Sequence, residues 1–145
     1  MKVIAVTGIP GTGKTTLAKK LAKRHRYDYV DVNLLVSTHK LHEKYDKTLK
    51  TKIVDTKKLS KFLITHIRAL KTKGAIIDSH LSHFLPPSFV DVCYVTTCSL
   101  PKLKQRLKKR GYSAQKIKDN LEAEAFQTCL IEAQEHGHNV VVKST

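Results

Sequence analysis

The stretch Gly8-Ile9-Pro10-Gly11-Thr12-Gly13-Lys14-Thr15 constrains the chain more than any other, because it fits the spacing G-x4-G-K-[ST] between an apolar run and a helical pattern. Val3 to Thr7 ahead of it reads as a buried strand, and Leu17, Ala18, Leu21 and Ala22 behind it recur at helical spacing. In a strand–loop–helix setting the glycines let successive N–H groups turn inward, forming a phosphate nest at the positive end of a helix. Three of the six glycines in the chain stand here. Gly11 and Gly13 therefore read as cradle positions for a nucleotide. Lys14 would bring a point charge to the β and γ phosphates of ATP, Thr15 a hydroxyl for Mg2+, and Thr16 a hydroxyl for the α phosphate. A turn without a ligand would have to match all of these positions by chance.

The remaining pattern alternates strands with helices. Tyr27 to Val32 reads as a second strand, Ala75 to Ile77 as a third, Val90 to Thr96 as a fourth and Asn139 to Lys143 as a fifth. Asp55 is placed to cap a helix with the stripe Leu59, Phe62, Leu63, Ile67 and Leu70, and Gly74 stands where that helix is expected to stop. Leu100, Leu103 and Leu107 give the next helix its apolar face, with Lys102, Lys104, Arg106, Lys108 and Lys109 covering the rest until Gly111. Ser113 is expected to cap one long helix through Ile117, Leu121, Ala125 and Cys129. Residues 33 to 54 show no clear period. Strands regularly separated by helices predict an α/β fold, a three-layer sandwich around a parallel sheet.

A nucleotide site of this kind calls for a second acidic residue near the metal, and Ala75-Ile76-Ile77-Asp78 is the segment of that form. An aspartate closing a buried strand is costly unless its charge is used. His80, two residues on, can orient or deprotonate an attacking water, or it can be an ordinary hydrogen-bonded histidine. The other histidine pairs, His39 with His42, His83 beside His80, and His136 with His138, supply no set of three or four ligands at a known zinc spacing, so no zinc site is expected.

Charge is the unusual bulk property. The net charge is +15 across 145 residues, and it is unevenly spread. Lys102 to Lys118 holds eight basic residues and no acidic one, whereas Asp119 to Glu135 holds five acidic and no basic. Such a field attracts polyanions, which makes nucleotides and RNA natural partners. The bland alternative for any single lysine is a solvated surface position. Three cysteines, Cys93, Cys98 and Cys129, sit among apolar residues without a paired spacing and read as core thiols of a reducing compartment. With neither a bilayer-length apolar run nor a leader-like start, the expected location is the cytosol, or the nucleus where there is one. A single domain spanning 1–145 is expected.

Beyond the phosphate loop, three blocks carry a resemblance: Asp78-Ser79-His80 followed by Phe84-Leu85-Pro86, then Arg110-Gly111-Tyr112-Ser113, then Lys116-Ile117 with Asn120 through Glu124-Ala125-Phe126-Gln127. With Gly8 to Thr16 they make the chain resemble the adenylate kinase isoenzyme six family over nearly its whole length. That resemblance implies a nucleoside-monophosphate-kinase fold with a five-stranded parallel core, an insert for the monophosphate at about 31–54 and a short lid at about 109–119. It implies Arg110 as the lid arginine that reaches the ATP phosphates, and Lys14, Asp78 and His80 as its catalytic companions. It implies ATP and Mg2+ as cofactors, with Thr15 and Asp78 at the metal. It also implies ADP and AMP as further ligands, and ATP hydrolysis in small ribosomal subunit maturation beside a ribosomal protein and rRNA. A monomer is expected. The pattern departs from the family in two places. The family's Asn-Val-Gly-Asp-Leu is Asp31-Val32-Asn33-Leu34-Leu35 here, and no arginine stands between Tyr27 and Ile67, which leaves Lys40 or Lys44 as substitutes for the usual phosphate fork. Thr97 stands where many relatives carry an arginine. The competing reading is a conventional small-molecule or nucleotide kinase with no ribosomal role.

Overall fold

Alternate side chains of the first strand enter two separate cores, and this decides the layering of the molecule. Strand β1 (Lys2–Gly8) is buried at every position after Lys2. Val3 and Ala5 join one cluster, while Ile4 and Val6 join the other, as the two-residue period of a strand requires. The computed structural model describes residues 1–46 and 51–145, with side chains outside 42–53.

After β1 come α1 (Lys14–His25), β2 (Asp28–Asp31), α2 (Val32–Thr38), β3 (His42–Asp46) and β4 (Thr51–Val54). Then follow α3 (Thr56–Arg68), β5 (Gly74–Asp78), a 3-10 turn at Ser82–Phe84, β6 (Val92–Thr97), α4 (Leu100–Lys109), α5 (Ala114–Ala125), α6 (Thr128–Glu135) and β7 (Val140–Ser144). Five strands form a parallel sheet in the order β2-β5-β1-β6-β7. Helix α1 packs against one face through Ala18, Leu21 and Ala22. The opposite face is covered by α3 through Leu59, Leu63 and Ile67, by α4 through Leu103 and Leu107, and by α6 through Cys129 and Ala133. Burying a leucine completely contributes roughly 1.5–3 kcal/mol, so the two fully buried leucines of α4 anchor that helix firmly. The expected α/β sandwich with a five-stranded parallel sheet is the observed one.

Register brings the strand ends to one place. Val6 of β1 lies opposite Asp78 of β5, and Asp78 lies opposite Asp31 of β2. The loop after β1, the carboxylate closing β5 and the exit of β2 thus share the carboxyl edge of the sheet, at the point where strand order reverses.

Three expectations need correction. Helix α3 is capped by the Asp55 side chain, which accepts from the Lys57 and Lys58 amides, but it ends at Arg68 rather than near Gly74. Gly74 instead opens β5, where a Cβ would stand 2.5 Å from the Tyr27 ring, so close approach and not helix termination requires glycine. The helix after Ser113 is two helices. Gln127 takes a left-handed backbone (φ 54°) that ends α5 and starts α6, turning Cys129 and Ala133 into the core. Finally, the stretch without a period contains α2, whose first turn is held by the Asp31 carboxylate accepting from the Leu34 amide (3.2 Å), and the antiparallel pair β3–β4.

Candidate active site

Loop geometry between β1 and α1 follows from what surrounds it. A Cβ on Gly8 would come within 2.3 Å of Thr96 Oγ1 on the neighbouring strand, so the loop can leave the sheet at that point only without a side chain. Thr12, fully buried, donates its hydroxyl to the Ile9 carbonyl (2.6 Å) and lies 2.7 Å from the Thr96 hydroxyl, tying the curl to β6. Gly13 (φ 91°) is the N-cap of α1. Behind the loop, Arg106 of α4 donates from Nη1 to the Gly11 carbonyl (3.1 Å) and to Thr145 Oγ1 (3.0 Å). The helical pattern puts Arg106 on the polar face of α4, yet in the fold it is half-buried and buttresses the loop.

Gly11, Gly13, Lys14, Thr15, Thr16, Asp78, His80 and Arg110 all line one cleft of 550 Å³ at the carboxyl edge of the sheet. That volume lies within the range of small-molecule and cofactor pockets. Asp78 is buried at the end of β5, and its Oδ2 accepts from Thr15 Oγ1 (2.7 Å) and from the Tyr29 hydroxyl (2.6 Å). Thr15 gives its proton away in this bond and keeps its lone pairs. Two hard oxygen donors side by side at the mouth of a phosphate loop are the donor set Mg2+ takes, together with water and phosphate oxygens.

Electrostatics divide the cleft. Burial lowers the Lys14 pKa to about 8 against the opposing pull of Asp78, and Arg110 pushes in the same direction as burial. The cleft therefore holds a partly desolvated cation. His80 is exposed at the cleft edge, yet partial burial against the cleft walls, with Lys14 and His83 nearby, pushes its pKa below the ordinary imidazole value, so its ring is neutral at pH 7. Arg110 caps the end of α4 and leads into the turn before α5, which adds Tyr112, Lys116 and Asn120 to the lining.

Histidine 83 serves a different purpose from His80. It is buried, its Nδ1 lies 2.7 Å from Thr7 Oγ1 and its Nε2 2.6 Å from Glu132 Oε2, while its carbonyl lies 2.7 Å from His138 Nε2. In the tautomer that donates Nε2–H to Glu132, Nδ1 accepts from Thr7, the residue before Gly8. Among the described residues no three His, Cys, Asp or Glu side chains are grouped to hold a metal ion. No described helix is long and apolar enough to cross a membrane.

Sequence reasoning missed several cleft residues. Tyr29, Asp31 and Asn33 line its β2 side and Cys129 its floor. Burial raises the Cys129 thiol to about 11, so it stays protonated beside Lys14. No sequence signal singles out Tyr29; the parallel pairing of β2 with β5, which sets Asp31 opposite Asp78, brings it to the cleft. The stretch 31–54, expected to hold the monophosphate, carries α2 and the β3–β4 pair; Lys40 is exposed, and the Lys44 side chain lies outside the described residues.

Comparison with known proteins adds a family. The sequence model of the AAA domain family matches residues 4–127. An adenylate kinase isoenzyme 6 homolog of Schizosaccharomyces pombe is 39% identical over 132 residues, covering 91% of this chain and 74% of that protein. An adenylate kinase isoenzyme 6 homolog of Caenorhabditis elegans is 36% identical over 132 residues, covering 91% and 72%. Among solved structures, shikimate kinase from Acinetobacter baumannii superposes with a TM-score of 0.63 at 13% identity, covering 100% of this chain and 85% of that one. Deoxyadenosine kinase from M. mycoides gives 0.56 at 16%, covering 97% and 89%. At these identities the structural likeness speaks for the fold alone.

Proposed function

We propose, on the premise that this chain belongs to the adenylate kinase isoenzyme 6 family, that it transfers the γ-phosphoryl group of ATP to AMP and, in competition, to water. It is a kinase of the adenylate kinase type. The observation that carries the reading is the convergence of the phosphate loop, Lys14, Asp78 and Arg110 on one cleft. Loop amides hold the ATP phosphates, Lys14 neutralises the β and γ groups, and Arg110 offsets charge developing on the transferred group. Mg2+ bound through Thr15 and Asp78 would supply further charge neutralisation at the same phosphates.

Water competes because the acceptor side holds its substrate loosely. An arginine fork is the usual bidentate clamp for a phosphate, and the chain has none between Tyr27 and Ile67. Lysine offers a point charge without that geometry. Neutral His80 offers an acceptor nitrogen for a water near the phosphates.

The biological setting we infer is small ribosomal subunit maturation, with rRNA and a ribosomal protein as partners. Its support is the +15 charge, concentrated in stretches such as 102–118, together with the family resemblance. Turnover of ATP is measured with and without small-subunit rRNA and ribosomal protein. Stimulation by either supports the ribosomal reading; an unchanged rate with both, alongside full kinase activity, leaves a conventional nucleotide kinase.

A further inference from the structure

Tyr29 has no part in phosphate binding as described above, yet its hydroxyl ends 2.6 Å from the same Asp78 oxygen that accepts from Thr15 at 2.7 Å. The two donors come from different elements, Thr15 from the start of α1 and Tyr29 from β2. Both bonds fall on Oδ2, and no described group bonds Oδ1. A carboxylate at a strand end held by one donor can still rotate about its side-chain bonds. A second donor on the same oxygen, fixed by its own strand, removes that freedom and leaves the other oxygen turned to its own use. The tyrosine is itself held, with its ring packed on the cluster of Ile4, Val6 and Ile76 and the Lys19 ammonium 5.6 Å from the ring centre.

We propose that Tyr29 is a positioning residue for the divalent cation of the ATP complex: its hydroxyl locks Asp78 so that the free carboxylate oxygen meets the metal or its water. The proposal rests on reading Asp78 as the metal-facing carboxylate. Bonds to a charged acceptor are the stronger kind, and they hold geometry as well as energy.

The test is a binding measurement rather than a rate. Calorimetry records ATP affinity without divalent metal, and Mn2+ electron paramagnetic resonance records cation affinity in the ATP complex, for wild type, Tyr29→Phe, Asp78→Asn and the double variant. Tyr29→Phe keeps the ring, so metal-free ATP binding stays within about twofold while cation affinity falls roughly five- to tenfold, the scale of one such bond. Tyr94→Phe, in the same cluster without a bond to Asp78, leaves cation affinity unchanged. In the Asp78→Asn background Tyr29→Phe costs nothing more. Cation affinity unaltered by Tyr29→Phe but lowered by Asp78→Asn would overturn the role of Tyr29 alone. The same loss persisting in the Asp78→Asn background would show that Tyr29 does not act through that carboxylate. Asp78→Asn with undiminished cation affinity would remove the placement of Asp78 itself.

Discussion

Where Lys14 meets the ATP phosphates as proposed, its lowered pKa makes affinity depend on pH in a calculable way. In the ligand-free cleft its pKa is about 8, lowered by burial from 10.5. It is then about nine-tenths protonated at pH 7 and about one-tenth at pH 9. Bound phosphates favour the ammonium and raise the pKa well above 9, so binding at pH 9 must take up close to one proton. ATP affinity should therefore fall about tenfold from pH 7 to pH 9, or about 1.4 kcal/mol. The terminal phosphate completes its last ionisation at the lower end of this range, a small effect of the opposite sign. Calorimetry at constant ionic strength, in two buffers of different ionisation enthalpy, reads both affinity and proton uptake. Stability of the free protein moves the opposite way. Between about pH 8 and 10.5 the unfolded chain binds the proton that the folded one rejects, so folding gains as pH rises through that window. Affinity flat from pH 7 to 9 with no proton uptake would refute the reasoning.

Three further outcomes are expected. Gly74→Ala drives a Cβ against the Tyr27 ring and should destabilise the fold by about 1–3 kcal/mol, seen as a lower urea midpoint; an unmoved midpoint would mean that the ring yields freely. His80→Ala should slow hydrolysis more than it weakens ATP binding, whereas hydrolysis at the wild-type rate would leave that ring without a role at the water. RNA binding should weaken steeply with added salt and show little sequence preference, because neutralised phosphates release counterions. Salt-independent affinity would point to a protein partner.

Much of the site was legible in the sequence because its residues are adjacent in the chain or close an apolar run. Gly8 to Thr16 form a contiguous motif, and Asp78 ends a strand buried at every position. What stayed hidden depends on register and on contacts between distant segments. Nothing in Tyr27-Asp28-Tyr29 says that the second tyrosine, not the first, faces Asp78; the parallel pairing of β2 with β5 decides it. Arg106 looked like one more cation on a basic helix until α4 packed Leu103 and Leu107 beneath Gly11 and brought its guanidinium to the loop carbonyl. The break at Gln127 has no glycine or proline to announce it, since a glutamine takes the left-handed backbone. Helix α2, at seven residues, is too short for a period to emerge.

Partition of the phosphoryl group between AMP and water is the most direct measurement of what this cleft does. Phosphorus-31 NMR on ATP with Mg2+ and saturating AMP resolves ADP from inorganic phosphate as both accumulate. AMP should speed ATP consumption and yield two ADP for each ATP transferred, while inorganic phosphate continues to form at a measurable rate. Inorganic phosphate that vanishes once AMP saturates would contradict the open acceptor side, and ATP consumption that ignores AMP altogether would contradict the kinase assignment.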